Sequence, residues 1–252
     1  MQSFDSDGVR IAYRDEGDGE PVLLIHGFAS NSSVNWVGPS WFKTLTDAGY
    51  RVIALDNRGH GESEKLYDEA DYGADIMAED ARRLLDHLGI GEAHVMGYSM
   101  GARIGAFLTA RHPERVKSLV LSGMGVNLVR GVGGAGPIAA ALEAESVDDV
   151  ANDAARSFRV FADQTGSDRR ALAACIRSSR KAITAEDLNA AGVPMLIAVG
   201  TDDVVAGSAA ELAKLLPGAE VLDIPDRDHM RAVGDPVHKK GVLAFLAGHG
   251  RA

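Results

Sequence analysis

The order of apolar and polar positions along this chain divides it into three rhythms. In the first, short apolar runs rich in β-branched residues alternate with longer stretches whose apolar residues recur every three or four positions. "GVRIAY" (8–13) alternates like a strand with one wet face. "PVLLIHG" (21–27) and "RVIALDN" (51–57) are continuous apolar runs, the pattern of strands buried on both faces of a parallel sheet. Between them, "SWFKTLTDAGY" (40–50) spaces Phe42, Leu45 and Ala48 as a helix does and stops at Gly49. "GADIMAEDARRLLDHLGI" (73–90) predicts a longer helix with Ile76, Ala81, Leu84, Leu85 and Leu88 on one side. Strand "AHVMGYS" (93–99), helix "MGARIGAFLTARHP" (100–113) and strand "VKSLVLSG" (116–123) complete a βαβαβα succession. Such a succession implies right-handed crossovers and a doubly wound sheet.

The second rhythm begins near Asn127. "RGVGGAGP" (130–137) is followed by helical patterns without a buried strand until "VPMLIAVG" (193–200). In "SVDDVANDAARSFRVFADQ" (146–164), Ser146 and Asp149 form a capping-box pair, and Val147, Val150, Ala154, Phe158 and Phe161 supply the stripe of one helix. "DRRALAACIRSSRKA" (168–182) predicts another. A helical block between two sheet strands reads as an inserted cap, which places a core at 1–127 and 193–252 and the cap at 128–192. The third rhythm restores strand and helix: "VPMLIAVG", "GSAAELAKLLPG" (207–218), "AEVLDIP" (219–225), and a final helix through "KKGVLAFLAGHG" (239–250).

Bulk properties narrow the function. With 252 residues, 46% hydrophobic and 25% charged, the chain has an ordinary globular composition. Its apolar runs fall far short of the ~20 residues that a membrane span needs. The opening "MQSFDSDGVRIAYRDEGDGE" lacks the basic and apolar regions of a secretion signal and reads as strands around an Asp7-Gly8 turn. The net charge of −10 opposes nucleic acid as a partner. A lone cysteine, Cys175, excludes an internal disulfide and fits a reducing cytoplasm. The eight histidines show no ligand spacing for a metal, and no cofactor is implied.

Candidate chemistry lies at the strand ends. Gly97-Tyr98-Ser99-Met100-Gly101 fits G-x-S-x-G between a strand and a helix. That context forces the serine onto a strained turn and aims the next amide, that of Met100, at developing negative charge. A serine hydroxyl needs a base, and the base needs a carboxylate to fix its tautomer. Asp202 and Asp203 end the strand of "MLIAVGTDD", and His229 follows the strand of "VLDIPDRDHM". The chain therefore carries the order Ser…Asp…His.

Together with His26-Gly27-Phe28 and "DNRGHGES" (56–63), these motifs resemble the α/β-hydrolase family, in its group of esterases, lactonases and C–C hydrolases. The likeness covers nearly the whole chain. It implies an α/β-hydrolase fold with a mostly parallel sheet and a helical cap. It also implies Ser99 as nucleophile, His229 as general base and acid, and Asp203 as triad acid, since G-x-x-D falls on Gly200 to Asp203. The backbone amides of Phe28 and Met100 would form the oxyanion hole. Trp36, Met124 and Met230 are expected to line the substrate site. One departure is Asp228, where the family commonly has glycine; it is expected to face solvent. His26 is expected to brace the oxyanion loop, and Arg58 and His60 to build a rigid turn.

The resemblance implies hydrolysis of a small, uncharged or weakly charged ester or lactone through an acyl-enzyme. Its alternatives are a C–C bond hydrolase, a cofactor-free perhydrolase, and a slow receptor-like hydrolase. The sequence sets neither the substrate nor the oligomeric state.

Overall fold

The computed structural model describes residues 1–131, 133–178 and 181–250. Eight strands form one sheet in the order β1-β2-β4-β3-β5-β6-β7-β8. They are β1 (Gln2–Ser6), β2 (Val9–Glu16), β3 (Glu20–Ile25), β4 (Tyr50–Leu55), β5 (Ala93–Tyr98), β6 (Val116–Ser122), β7 (Met195–Gly200) and β8 (Glu220–Ile224). The first two pair antiparallel, turning at Asp7-Gly8, and β2 joins β4 antiparallel. From β4 through β8 all pairing is parallel, as the continuous apolar runs predict.

Alternate residues of the central strands point to opposite faces and feed two cores. Leu23, Ile25, Val95, Leu119, Leu121 and Ile197 face the helices α2 (Ala74–His87) and α3 (Met100–Arg111). Val22, Leu24, Met96, Val120 and Leu196 face α1 (Trp41–Asp47) and α10 (Pro236–Gly248). The chain passes from β3 outward to β4, then crosses back to β5 on the other side of β3. Open α/β sheets bind ligands at the carboxyl ends of strands beside such a reversal. Here those ends carry Phe28 and Ser99.

Between β6 and β7 the chain builds α4 (Asn127–Arg130), α5 (Ala135–Glu143), α6 (Asp153–Gln164), α7 (Arg169–Ser178) and α8 (Ala185–Ala191). One expectation changes here. The stretch 146–164 is not one helix. The Ser146–Asp149 capping box forms, but it closes only a 3₁₀ turn at Val147–Asp149. Helix α6 starts afresh at Asp153, because the Asn152 side chain accepts the Ala155 amide and makes a second start signal. The last helix of the block, α8, packs against α3 beside the sheet. Val132 of "RGVGGAGP" and Ser179-Arg180 of "DRRALAACIRSSRKA" lie outside the described residues. Small and aliphatic side chains of the cap (Ile138, Leu142, Leu172 and Leu188) join the same apolar cluster as α2 and α3.

Candidate active site

The two glycines around Ser99 are demanded by space. A Cβ on Gly97 would lie 2.2 Å from the Gly101 carbonyl, and one on Gly101 would lie 1.9 Å from Ile25 O. Their absence lets β5 turn into α3 directly against β3. Ser99 at the turn has φ 55° and ψ −114°, a conformation costing about 1–3 kcal/mol for a non-glycine residue. The fold holds it there: Ser99 N–H donates to Ser122 O at 2.8 Å, and Ser99 O accepts the Ala102 and Arg103 amides. The result is a hydroxyl fixed at the carboxyl edge of the sheet.

Three strand ends converge on that hydroxyl. His229 follows β8, and its Nε2 lies 3.0 Å from Ser99 Oγ. Its Nδ1 lies 2.7 Å from Asp203 Oδ2. Asp203 follows β7; its side chain is fully buried, and its other oxygen accepts the Val205 and Ala206 amides at 2.9 Å each. Asp202, one residue earlier, is exposed. Since Nδ1–H donates to the carboxylate, Nε2 is left as the acceptor of the serine proton. Asp228 turns outward: its Oδ1 accepts the Met230 and Arg231 amides and its carboxylate lies 3.7 Å from Arg231 Nε.

The amides of Phe28 and Met100 donate to no acceptor among the described residues. Both residues belong to the same apolar cluster above the sheet. The loop that carries Phe28 is braced by His26, whose buried ring donates from Nδ1 to Gly27 O at 2.8 Å and accepts the Asn57 amide at Nε2. Burial holds the His26 imidazole below its ordinary pKa, which keeps Nε2 an acceptor. Beneath it, burial pushes His60 down to about 3. Arg58 is pinned by its buried pair with Asp80 at 2.7 Å.

Of the residues expected to line the pocket, Met124 is buried in the cluster shared with Phe28 and Met100, and Met230 is exposed beside His229. Trp36 is a correction. It is fully buried on the opposite face of the sheet, edge-on to Trp41 with ring centroids 6.3 Å apart. A π-helical turn at Ser33–Val37 carries it, and its large apolar surface is spent on the α1 side of the core.

Tyr98 is a contributor that motif reading misses. Period-two alternation sends its side chain to the far face from the Ser99 turn. There its ring lies 5.5 Å from that of His229, and its hydroxyl donates to His229 O at 2.5 Å. The only legible signal was its place between Gly97 and Ser99. A cavity of about 1120 Å³ lies at the other end of the sheet among Asp15, Asp18, Glu20, Glu92 and Glu114. It is remote from this chemistry, at the amino ends of β3, β5 and β6.

Residues 20–129 match the family model for the alpha/beta hydrolase fold. The chain is 40% identical to a non-heme chloroperoxidase of Kitasatospora aureofaciens over 119 residues, 46% of this chain and 40% of that protein. It is 32% identical over 248 residues to the dihydrolipoyllysine-residue acetyltransferase component of an acetoin cleaving system from Pseudomonas putida, 92% of this chain and 64% of that protein. Its match thus spans less than two thirds of the length of these curated relatives. Among solved structures, the enol-lactonase of Burkholderia xenovorans superposes with a TM-score of 0.82 at 23% identity, covering 98% of this chain and 100% of that one. The chain has the α/β-hydrolase fold. Among the described residues no helix is long and apolar enough to cross a membrane.

Proposed function

We propose that this protein is a serine hydrolase of small carboxylic esters or lactones, working without a cofactor. One observation carries the reading: Ser99 Oγ, His229 and Asp203 stand in line at 3.0 and 2.7 Å on a strained turn. In the forward step Ser99 Oγ attacks the carbonyl carbon while its proton passes to His229 Nε2. The oxyanion is held by the Phe28 and Met100 amides, donors whose reorganisation is already complete. The tetrahedral species collapses, and Nε2–H protonates the leaving alkoxide. Water, losing its proton to the same nitrogen, then attacks the acyl-enzyme and releases the acid. Asp203 stays ionised throughout, because two backbone amides and His229 Nδ1–H satisfy it. We place the protein in the cytoplasm, the setting that a chain with a single cysteine fits.

The reading is tested with p-nitrophenyl butyrate and a series of lactones of increasing ring size. The wild type should hydrolyse the ester. Ser99→Ala, folded by circular dichroism, should lose at least roughly 10³-fold in kcat. A Ser99→Ala enzyme that keeps a tenth of the turnover contradicts the mechanism.

A further inference from the structure

The loop carrying Phe28 is held from two sides. Upstream, every brace comes from the core. Gly27 N–H donates to Asn35 Oδ1 at 2.8 Å, and Asn57 Nδ2 donates to His26 O at 3.1 Å. Downstream, the brace comes from the cap. Thr165, which closes α6, places its Oγ1 2.9 Å from Ala29 O, and Ser167 Oγ lies 3.4 Å from the same carbonyl. The two hydroxyls are 2.8 Å apart, and Thr165 Oγ1 also lies 3.1 Å from Phe161 O and from Ala162 O, so the pair offers Ala29 O two donors beside the helix's own acceptors. The Phe28 ring is likewise shared, edge-on to His60 of the core at 5.8 Å and to Phe158 of α6 at 6.0 Å.

Ala29 is where this matters. It is fully buried and has φ 57°, in the left-handed region that costs an alanine about 1–2 kcal/mol. It is also the third residue of a turn closed by Ser30 N–H donating to Gly27 O at 3.3 Å. Turns with positive φ at that position favour glycine or asparagine. An alanine there relaxes toward negative φ only if the Gly27–Ser30 turn rearranges, and Phe28, the second residue of that turn, carries the oxyanion amide. The hydrogen bond on the Ala29 carbonyl opposes that rearrangement.

We infer that Thr165 and Ser167 are positioning residues through which the cap sets the geometry of the Phe28 oxyanion donor. This rests on the hydrolase reading above and extends it: the cap acts on the rate of the chemical step as well as on access. A lid that only admits or excludes substrate changes KM and chain-length preference. A brace on the oxyanion loop changes kcat, because the Phe28 donor is used most in the transition state.

The test is the variant Thr165→Val/Ser167→Ala, assayed on p-nitrophenyl acetate and butyrate beside Thr165→Ser and Ser99→Ala. In the double variant, kcat should fall roughly tenfold on both esters, with KM within about twofold. Labelling by a fluorophosphonate, whose phosphoryl oxygen needs the same hole, should slow in proportion. Thr165→Ser, which restores the hydroxyl, should keep most of the wild-type rate. Should the double variant not fold, the near-isosteric Thr165→Val carries the same comparison. Unchanged kcat and labelling beside an inactive Ser99→Ala would overturn this inference alone. An active Ser99→Ala would overturn the hydrolase reading and the inference with it.

Discussion

The Ser99–His229–Asp203 line and the cap above it occupy the same end of the sheet, yet they are fixed by different means. The line is drawn from the ends of β5, β7 and β8, and each member is held through a backbone group: the Ser99 amide by Ser122 O, the Asp203 carboxylate by two amides, and the His229 carbonyl by the Tyr98 hydroxyl. The cap consists of short helices started by local side-chain caps at Ser146, Asn152 and Thr184. Polar ties join it to the core along its length, among them Tyr67 to Asp168, Thr165 to Ala29 O and Lys181 to Asp75. Another is Arg103 on α3, whose guanidinium donates to Leu128 O at 2.8 Å, at the start of the block, and to Lys181 O, between α7 and α8. Parts that must sit within a few tenths of an ångström are thus built on sheet strand ends, while the helical block between β6 and β7 shares the apolar cluster of α2 and α3. The oxyanion loop is where the two regimes meet.

Perturbing the triad side should give the largest effects. Asp203→Asn keeps the shape but favours the wrong imidazole tautomer, and kcat should fall by about 10⁴. Asp202→Asn, at an exposed side chain, should stay within about tenfold; the reverse order in a kcat assay would move the acid to the neighbouring residue. Tyr98→Phe removes one hydroxyl from under His229 and leaves the ring packing. It should lower kcat by roughly tenfold with KM nearly unchanged, as expected when the base is displaced by less than an ångström. A wild-type kcat in that variant would mean that His229 is held well enough by its own loop.

Perturbing the cap side should give smaller effects of another kind. Burial holds the Arg103 guanidinium below its ordinary pKa, so replacing it with a packed apolar chain should cost little stability. Arg103→Met should therefore fold, loosen both of these cap contacts, and shift KM by about threefold across an acyl-chain series. A large loss of kcat instead would mean that Arg103 supports the Ser99 turn itself.

The mildest perturbation is acid. Four fully buried core histidines, His26, His60, His94 and His238, are held below their ordinary pKa by burial, His60 at about 3 and His238 at about 4. The cap contains no histidine. In the unfolded chain these groups bind protons below about pH 6.5, whereas in the folded core they stay neutral. Stability is therefore complete above that pH and declines as pH falls. His60 and His238 each contribute a slope approaching about 1.4 kcal/mol per pH unit, His238 down to pH 4 and His60 down to pH 3. Thermal melts at pH 7, 6 and 5 should show a falling Tm, and His238→Asn should flatten the decline. A Tm that rises toward pH 5 contradicts the burial assignment.

The regions differ in legibility as they differ in construction. The sheet could be read because its parallel strands are buried on both faces, which leaves unbroken apolar runs, and because G-Y-S-M-G needs its glycines for clearance that no other residue provides. His229 and the Asp202–Asp203 pair follow from strand ends and chain order, and the resemblance to the hydrolase pattern G-x-x-D points to Asp203. Trp36 was misread because a tryptophan near the oxyanion loop can face either side of the sheet, and only the π-helical turn decides which. The helix at 146–164 was drawn too long because Asn152 resembles an interior polar residue until its side chain is seen capping Ala155. Tyr98, Thr165 and Ser167 carry no motif. Their roles exist only once distant segments meet, 131 residues apart for Tyr98 and His229 and 136 for Thr165 and Ala29.

The central claim, that this fold places one activated nucleophile at Ser99, is tested most directly by mapping a covalent adduct. The folded wild-type chain is incubated with a fluorophosphonate, digested and sequenced by mass spectrometry. A single adduct on the peptide carrying Ser99, absent in Ser99→Ala and slowed by orders of magnitude in Asp203→Asn, is the result this structure predicts. An adduct on any other serine, or ester turnover by a protein that takes no label at all, would contradict it.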